Sequence, residues 1–200
     1  RLLAALGQIA GTKIPYVGGY SRDMNGDVGG QGHAWNAAEI DGSWYLIDAT
    51  WDAGYVNGRT FTKKYTADYL LTPPEVFGIN HFPDKEKWQL RKTPISRGDF
   101  MRLPNLRPRF YANFELISPN RSQVTVTDDF LLTFKRRRAG QDLYATFGNK
   151  SGGPRSRCNL VSDGHVDCDL THSGTYHVTL WIGPPGQSHW YAGQFEVNRR

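Results

Sequence analysis

Apolar side chains recur at Leu2, Leu3, Leu6 and Ile9, the spacing of one helical face, and Gly11 follows where a left-handed C-terminal cap belongs. No Ser, Thr, Asp or Asn stands ahead of them to cap the first turn, and Arg1 already lies inside the period. The pattern is that of a helix with an end but no beginning, either cut or frayed. The period then shifts to two. Residues 13–23, KIPYVGGYSRD, read as a strand, and residues 24–32, MNGDVGGQG, as a turn-rich loop. HAWNAAEI and SWYLIDAT, residues 33–40 and 43–50, read as two strands. Asp41-Gly42 lies between them, and that dipeptide predicts a two-residue type I′ turn.

The remainder of the chain holds only short alternating runs. ANFELIS, QVTVT, FLLTF, LYATF, CNLV, HVDCD, TYHVTLWI and WYAGQFEV are candidate strands with turn residues between them, the pattern of an all-β sandwich. Before them, residues 95–110, ISRGDFMRLPNLRPRF, show no period and carry Pro104, Pro108 and several arginines, which is a linker composition. The expected fold class is therefore α+β in two parts. Residues 1–95 form a mixed core with an antiparallel sheet, 96–108 a linker and 109–200 a β-sandwich. Two hundred residues suffice for two such domains. Phe100, Met101, Leu103 and Leu106 are expected along the seam between them, since leaving all four in water is costly.

The two-residue turn fixes a register for the first hairpin. Ile40 faces Ser43, Trp35 faces Asp48 and His33 faces Thr50, so His33 and Asp48 become diagonal neighbours on one sheet face. A three-residue loop would slip the register by one and separate them. An aspartate accepting from one ring nitrogen fixes a histidine's tautomer and stabilises its charged form, the orienting half of a nucleophile–base–orienter triad. A purely structural His–Asp pair is the alternative. Asp52, close to Gly54, competes for the carboxylate role. Trp35, Trp44 and Trp51 read as core residues, with Trp35 also a candidate substrate-binding residue because the register sets it beside Asp48.

These residues carry a resemblance. GHAWNAAEIDGSWYLIDATWDAG, with YVGGYSRD before it and DYLLTPPEVFGINHFPDKEKWQL after it, resembles the transglutaminase-like superfamily of papain-type cysteine enzymes. Within it the likeness is to the kyphoscoliosis-peptidase-like branch, and it covers roughly the first 95 residues. The HAWN start, the Asp-Gly turn and the D-x-T-W end stand at that family's spacing. The resemblance implies a papain-type core, with His33 as general base, Asp48 as orienting carboxylate and no cofactor. It also implies a nucleophilic cysteine at the start of the helix, a few residues before a segment like RLLAALGQIAG. No cysteine stands there, so the expectation is a chain truncated upstream of Arg1, or a protein that has lost its nucleophile.

The placement has its own physical logic. A thiol at a helix N-terminus is acidified by the dipole and the free N–H groups, and a neighbouring imidazole completes a thiolate–imidazolium pair. The acyl-enzyme then passes to water in a protease or to an amine in a transglutaminase, and these residues do not choose between them. The leading expectation is thiol acyl transfer or hydrolysis on protein or peptide amides. The rival is a non-catalytic scaffold or binding module that keeps the fold. Asp48→Ala is expected to lower turnover and leave the fold intact. SGTYHVTLWIGPPG and HWYAGQFEVN resemble the immunoglobulin-like sandwich modules appended to such domains, whose expected role is either packing against the first domain or docking a partner.

Two cysteines refine the picture. CNLVSDGHVDC centres on Ser162-Asp163-Gly164, a three-residue loop that sets Val161 opposite His165 and Cys158 opposite Cys168. That site is non-hydrogen-bonded, with Cα atoms about 4.5 Å apart, within the range a disulfide accepts. A bridge there implies an extracellular or periplasmic protein. The net charge of +5 and the KRRR run at 135–138 raise a polyanion reading. However, LLTFKRRRAGQDLYATF is two apolar runs joined by a charged turn, a solvated hairpin tip, and no nucleic-acid-binding pattern accompanies it. Asp163, His165, Asp167 and Asp169 surround a turn, and His172, His177 and His189 lack ligand spacing, so no metal is expected. No apolar run approaches the roughly 18 residues of a membrane span, and RLLAALGQIAG is too short for a complete signal peptide.

Overall fold

The computed structural model describes residues 1–29 and 32–200. Residues 30 and 31, part of the turn-rich loop expected at 24–32, lie outside the described residues. The chain forms two compact units: Arg1–Asp23 with Asp27–Arg97, and Met24–Gly26 with Gly98–Arg200. It is rich in strands with a few short helices, an α+β chain. No described helix is long and apolar enough to cross a membrane.

In the first unit, helix α1 (Leu2–Ile9) stops where the glycine predicts. The N–H groups of Gly11 and Thr12 reach back to the carbonyls of Gln8 and Gly7 at 3.3 and 2.8 Å, and Gly11 takes φ +67°. That is a Schellman stop, which a Cβ disfavours. Arg1 stands at the N-cap and its side chain makes no capping bond. Leu2, Leu6 and Ile9 are exposed, whereas Gly7 is buried, with Ile14 in the space a Cβ would need.

There follow β1 (Tyr16–Ser21), β2 (His33–Ile40), β3 (Ser43–Ile47), α2 (Ala49–Ala53), β4 (Gly54–Asn57), β5 (Thr60–Lys63), α3 (Pro74–Phe77) and β6 (His81–Pro83). Four of these strands form an antiparallel sheet in the order β3-β2-β1-β6. Asp41 and Gly42 take φ of 50° and 75°, and Ile40 pairs with Ser43, the turn and register that Asp-Gly predicts. The strand expected over 43–50 ends early, at Ile47, because Asp48 turns the chain into α2. His33 consequently pairs with Gly19 of β1 and does not face Thr50. The β4–β5 hairpin has no counterpart among the sequence-based expectations. Its two-residue turn opens on Gly58 at φ +60°, a legible type II′ signal.

Gly19 lets the sheet close over its own core. A Cβ there would lie 2.3 Å from the Phe82 carbonyl oxygen and 2.6 Å from the Trp35 ring. The first is held by strand pairing with β6 and the second by the core of Val17, Trp35, Ala37, Leu46, Tyr69 and Phe77. Gly19→Ala is expected to cost about 1–3 kcal/mol through forced displacement, read as a lower urea midpoint at unchanged slope. An unchanged midpoint would show that β6 yields freely.

The second unit begins in the stretch whose composition reads as a linker. That stretch carries α4 (Arg97–Arg102), β7 (Asn105–Leu106) and the start of α5 (Pro108–Asn113). Then come β8 (Phe114–Ser118), β9 (Gln123–Val126), β10 (Phe130–Arg136), β11 (Asp142–Asn149), β12 (Ser156–Arg157), β13 (Asn159–Ser162), β14 (His165–Cys168), β15 (Gly174–Gly183) and β16 (Trp190–Arg199). One sheet runs β13-β14-β10-β8 and the other β12-β11-β15-β16-β7, with β9 parallel to β16. Inward residues of both, among them Phe114, Phe130, Leu132, Leu180 and Phe195, form one core that also takes in Leu106. Met101, by contrast, is 38% exposed. The Met24 carbonyl accepts hydrogen bonds from Asn105 and Tyr191, which anchors the 24–26 segment to this unit.

Two turn readings need correction. The basic run is no hairpin tip: β10 pairs with β8 and β14, β11 pairs with β12 and β15, and the basic segment crosses between sheets. Alternation identified each strand, but neighbours in sequence need not pair in a two-sheet fold. Arg136 and Arg137 lie 3.6 and 3.7 Å from Asp163 and Glu115, at surface ion-pair distances. The second correction concerns the cysteine hairpin. Cys158 and Cys168 are bonded, with Cα atoms 4.3 Å apart. Asn159 pairs with Asp167 and Leu160 with Val166, as expected, yet the turn has two residues, with Ser162 facing His165. Val161 is bulged out, and that extra residue offsets the shorter loop and preserves the cysteine register.

Candidate functional site

The site grows from the point where β3 gives way to α2. Asp48 is the N-cap of that helix, and its Oδ1 accepts the N–H groups of Thr50 and Trp51 at 3.0 and 3.1 Å. A carboxylate cap satisfies N–H groups that a helix start otherwise leaves bare. The Asp48 N–H donates to the Tyr69 carbonyl at 3.0 Å, so the residue is held from both sides. Its other oxygen, Oδ2, lies 2.6 Å from His33 Nε2 and 2.9 Å from His81 Nε2. His33 and Asp48 therefore meet as expected, but by a different route. Asp48 reaches its partner from a helix cap, not from across a strand pair.

Electrostatics settle the proton positions. Burial alone would raise the Asp48 pKa; hydrogen bonds from His33 and His81, and the charge each imidazole can carry, outweigh it and hold the carboxyl well below the ordinary carboxylate range. An ionised carboxylate only accepts. Both imidazoles therefore present Nε2–H to Oδ2, which leaves His33 Nδ1 as the nitrogen with a lone pair when the ring is neutral. That is the protonation pattern of an oriented general base. The side chain of His33 is 18% exposed and that of His81 is fully buried, so only His33 is open to solvent.

The other sequence candidates sort themselves by contact. Asp52 is committed elsewhere: it accepts from Thr66 Oγ1 at 3.0 Å and from the Tyr69 N–H at 3.0 Å, holding the loop after β5. Burial raises its pKa, helped by the charges of Asp68 and Asp48 and opposed by those donors. Trp35 is buried, its ring centroid 6.1 Å from that of His33 and edge-on to His81 at 5.0 Å. Its indole N–H has no hydrogen-bond partner among the described residues. Trp35 and Asp48 also line a cleft of about 410 Å³ together with Arg1, Leu2, Leu3 and Thr50. Trp44 packs edge-on against Trp88, and Trp51 lies 5.4 Å from the His33 ring.

His81 is the residue that sequence reasoning missed. It sits in INHFPD, where no helical or strand period runs, and its relation to Asp48 is set only by β6 pairing with β1. The two imidazole nitrogens and the carboxylate oxygen lie within 4.8 Å of one another, a donor set of a kind metals use. Their N···O separations of 2.6 and 2.9 Å are those of hydrogen bonds. Two ligands of one tetrahedral zinc stand about 3.3 Å apart. The cluster is therefore a hydrogen-bonded one.

The chain belongs to the transglutaminase-like family, and the α+β character of its first unit is in keeping with that. Its relatives set it in the kyphoscoliosis-peptidase branch. The chain is 33% identical to kyphoscoliosis peptidase of Mus musculus over 155 residues, covering 73% of this chain and 23% of that protein. It is 38% identical to kyphoscoliosis peptidase of Homo sapiens over 111 residues, 52% of this chain and 17% of that protein. It is also 30% identical to the Lim and transglutaminase domain protein ltd-1 of Caenorhabditis elegans over 108 residues, 48% of this chain and 15% of that protein. The chain thus spans less than a quarter of the length of these curated relatives. No family model matches it.

Proposed function

We propose that His33 and Asp48 are the general base and orienting carboxylate of a cysteine-dependent acyl-transfer site acting on protein or peptide amides. The observation that carries this reading is the 2.6 Å bond from an accessible imidazole to an ionised, buried carboxylate. The relatives named as a peptidase and as a transglutaminase-domain protein support it. The thiol comes from residues preceding Arg1, since the two cysteines of this chain are bonded to each other. His33 takes the thiol proton at Nδ1, and the thiolate attacks the amide carbonyl. The imidazolium, steadied by Asp48, then returns the proton to the leaving amine. Water or a second amine releases the acyl group. Trp35, at the wall of the cleft, is the substrate-contacting residue of this reading.

The alternative is a scaffold or binding module that keeps the fold without the nucleophile. The second unit, with two sheets around one core, supports an immunoglobulin-like sandwich that docks a partner. The Cys158–Cys168 bridge supports an oxidising compartment, extracellular or periplasmic.

The test uses the protein expressed with the residues that precede Arg1 in its natural sequence. A peptide carrying a thiol-reactive electrophile in place of the scissile amide is expected to label one cysteine. His33→Ala is expected to slow that labelling at least about tenfold, the lower range of general-base contributions being larger still. Absence of any labelled cysteine, or labelling indifferent to His33, would overturn the enzyme in favour of the scaffold.

A further inference from the structure

Two imidazoles address one carboxylate oxygen. His33 Nε2 and His81 Nε2 both point at Asp48 Oδ2, while Oδ1 is occupied by the N–H groups of Thr50 and Trp51. The second imidazole is not needed to aim the carboxylate, because the two cap bonds and the shorter bond to His33 already do so. Nor is it placed to meet a substrate. The His81 side chain is fully buried, its ring stacked on Phe77 at 4.1 Å and edge-on to Trp35 and Tyr69. A second donor on the same oxygen has one distinct effect: it draws on the same lone-pair charge that the first donor uses.

We propose that His81 is a positioning residue that limits how much of the Asp48 charge reaches His33, and so sets the pH range over which the imidazolium of the site persists. The proposal rests on the reading of His33 as the base. Its direction does not depend on the charge of His81. A neutral ring withdraws density from Oδ2 through its N–H, and a cationic ring adds repulsion toward a second imidazolium. In either state, removing His81 leaves Asp48 a stronger partner for His33. The other charged groups of this neighbourhood are Asp52, one turn along α2, which feels the charge of Asp48, Asp68, whose charge also acts on Asp52, and Arg1, which lines the same cleft as Asp48. A substitution at His81 leaves all three in place.

The primary measurement needs no thiol and uses the 200-residue chain. The His33 Nε2–H proton, in a hydrogen bond of 2.6 Å, is read by ¹H–¹⁵N NMR. His81→Phe fills the aromatic cluster but donates nothing, and is expected to move that resonance further downfield as the remaining bond strengthens. His81→Gln keeps an N–H donor and is expected to restore the wild-type position. His81→Met, also without a donor, replaces the Phe variant if that one does not fold. A His33 resonance that stays in place without a donor at 81 overturns the proposal, as does a Gln variant that shifts as far as Phe.

In the protein carrying its upstream residues, His81→Phe is expected to shift the alkaline limb of kcat/KM to higher pH with KM little changed. A limb that does not move while the NMR shift occurs overturns the functional half of the proposal. Absence of turnover in the wild type defeats the acyl-transfer reading alone, since the NMR comparison stands independently of it.

Discussion

Asp48→Ala will cost stability as well as turnover. The sequence alone suggests a side chain that can be removed without harm to the fold. Its position as helix cap and shared acceptor reverses that expectation. The substitution strips the cap from α2, about 1 kcal/mol, and leaves the buried N–H of His81 without its acceptor, about 1–3 kcal/mol more. A urea midpoint within error of the wild type would contradict both assignments. Asp48→Asn is the more informative change. Its amide has one oxygen for two sets of donors, so either the cap or the histidine pair faces an NH₂ group. Loss of the acceptor at His33 forces the wrong tautomer, which at a comparable triad costs about 10⁴ in kcat. A drop of that order in the upstream-extended protein, with α2 still formed, separates orientation from folding.

The same carboxylate gives the stability a pH signature. The folded-state pKa of Asp48 lies below its unfolded value, so its contribution is complete above about pH 4 and is lost as pH falls from there toward the folded value. Asp52 runs the other way: with its pKa raised, it relieves a cost as it takes up a proton on acidification. The net expectation is a urea midpoint that falls more steeply below pH 4 in the wild type than in Asp48→Asn. Parallel curves would remove Asp48 from the account.

The disulfide carries the second large effect. Every residue of β13 is exposed, so packing holds this strand only weakly, while Cys158 and Cys168 themselves are buried. The bridge closes a segment with a sequence separation of 10. Loop-closure entropy for a ring of that size amounts to about 3 kcal/mol. Replacing both cysteines with alanine is expected to lower stability by about that amount, visible as a lower melting temperature and as fast amide exchange along β13. The wild type treated with reductant should match the double variant. A melting temperature indifferent to both treatments would show that the hairpin is held by its turn and bulge alone.

What the sequence made legible follows a physical line. Gly11 and Asp41-Gly42 act through their own backbone preferences, and both act as read. Period-two alternation located β10, β11, β15 and β16 because each strand has one face in a core. The choice of partner strand was not legible, as β10 and β11 show, because pairing depends on which sheet a strand joins. The His33–Asp48 contact was legible through the turn, though the expected β3 ran three residues too far and the helix cap was missed. His81 was invisible for a plainer reason. Its only tie to the site runs through space, across β1, and no local pattern encodes it.

The last strand has a bearing on how the second unit is made. β16 is the common neighbour of β7, β9 and β15, which come from the beginning, early middle and late part of that unit. On a ribosome, where synthesis runs from the N-terminus, the earlier strands emerge with their main partner not yet translated. Their hydrogen-bonding edges and apolar faces then wait on Trp190–Arg199. Such late closure of long-range pairings slows folding and prolongs exposure of unpaired edges. Until Trp190–Arg199 is made, the earlier strands of the second unit carry unpaired edges, the kind of species that is prone to aggregate.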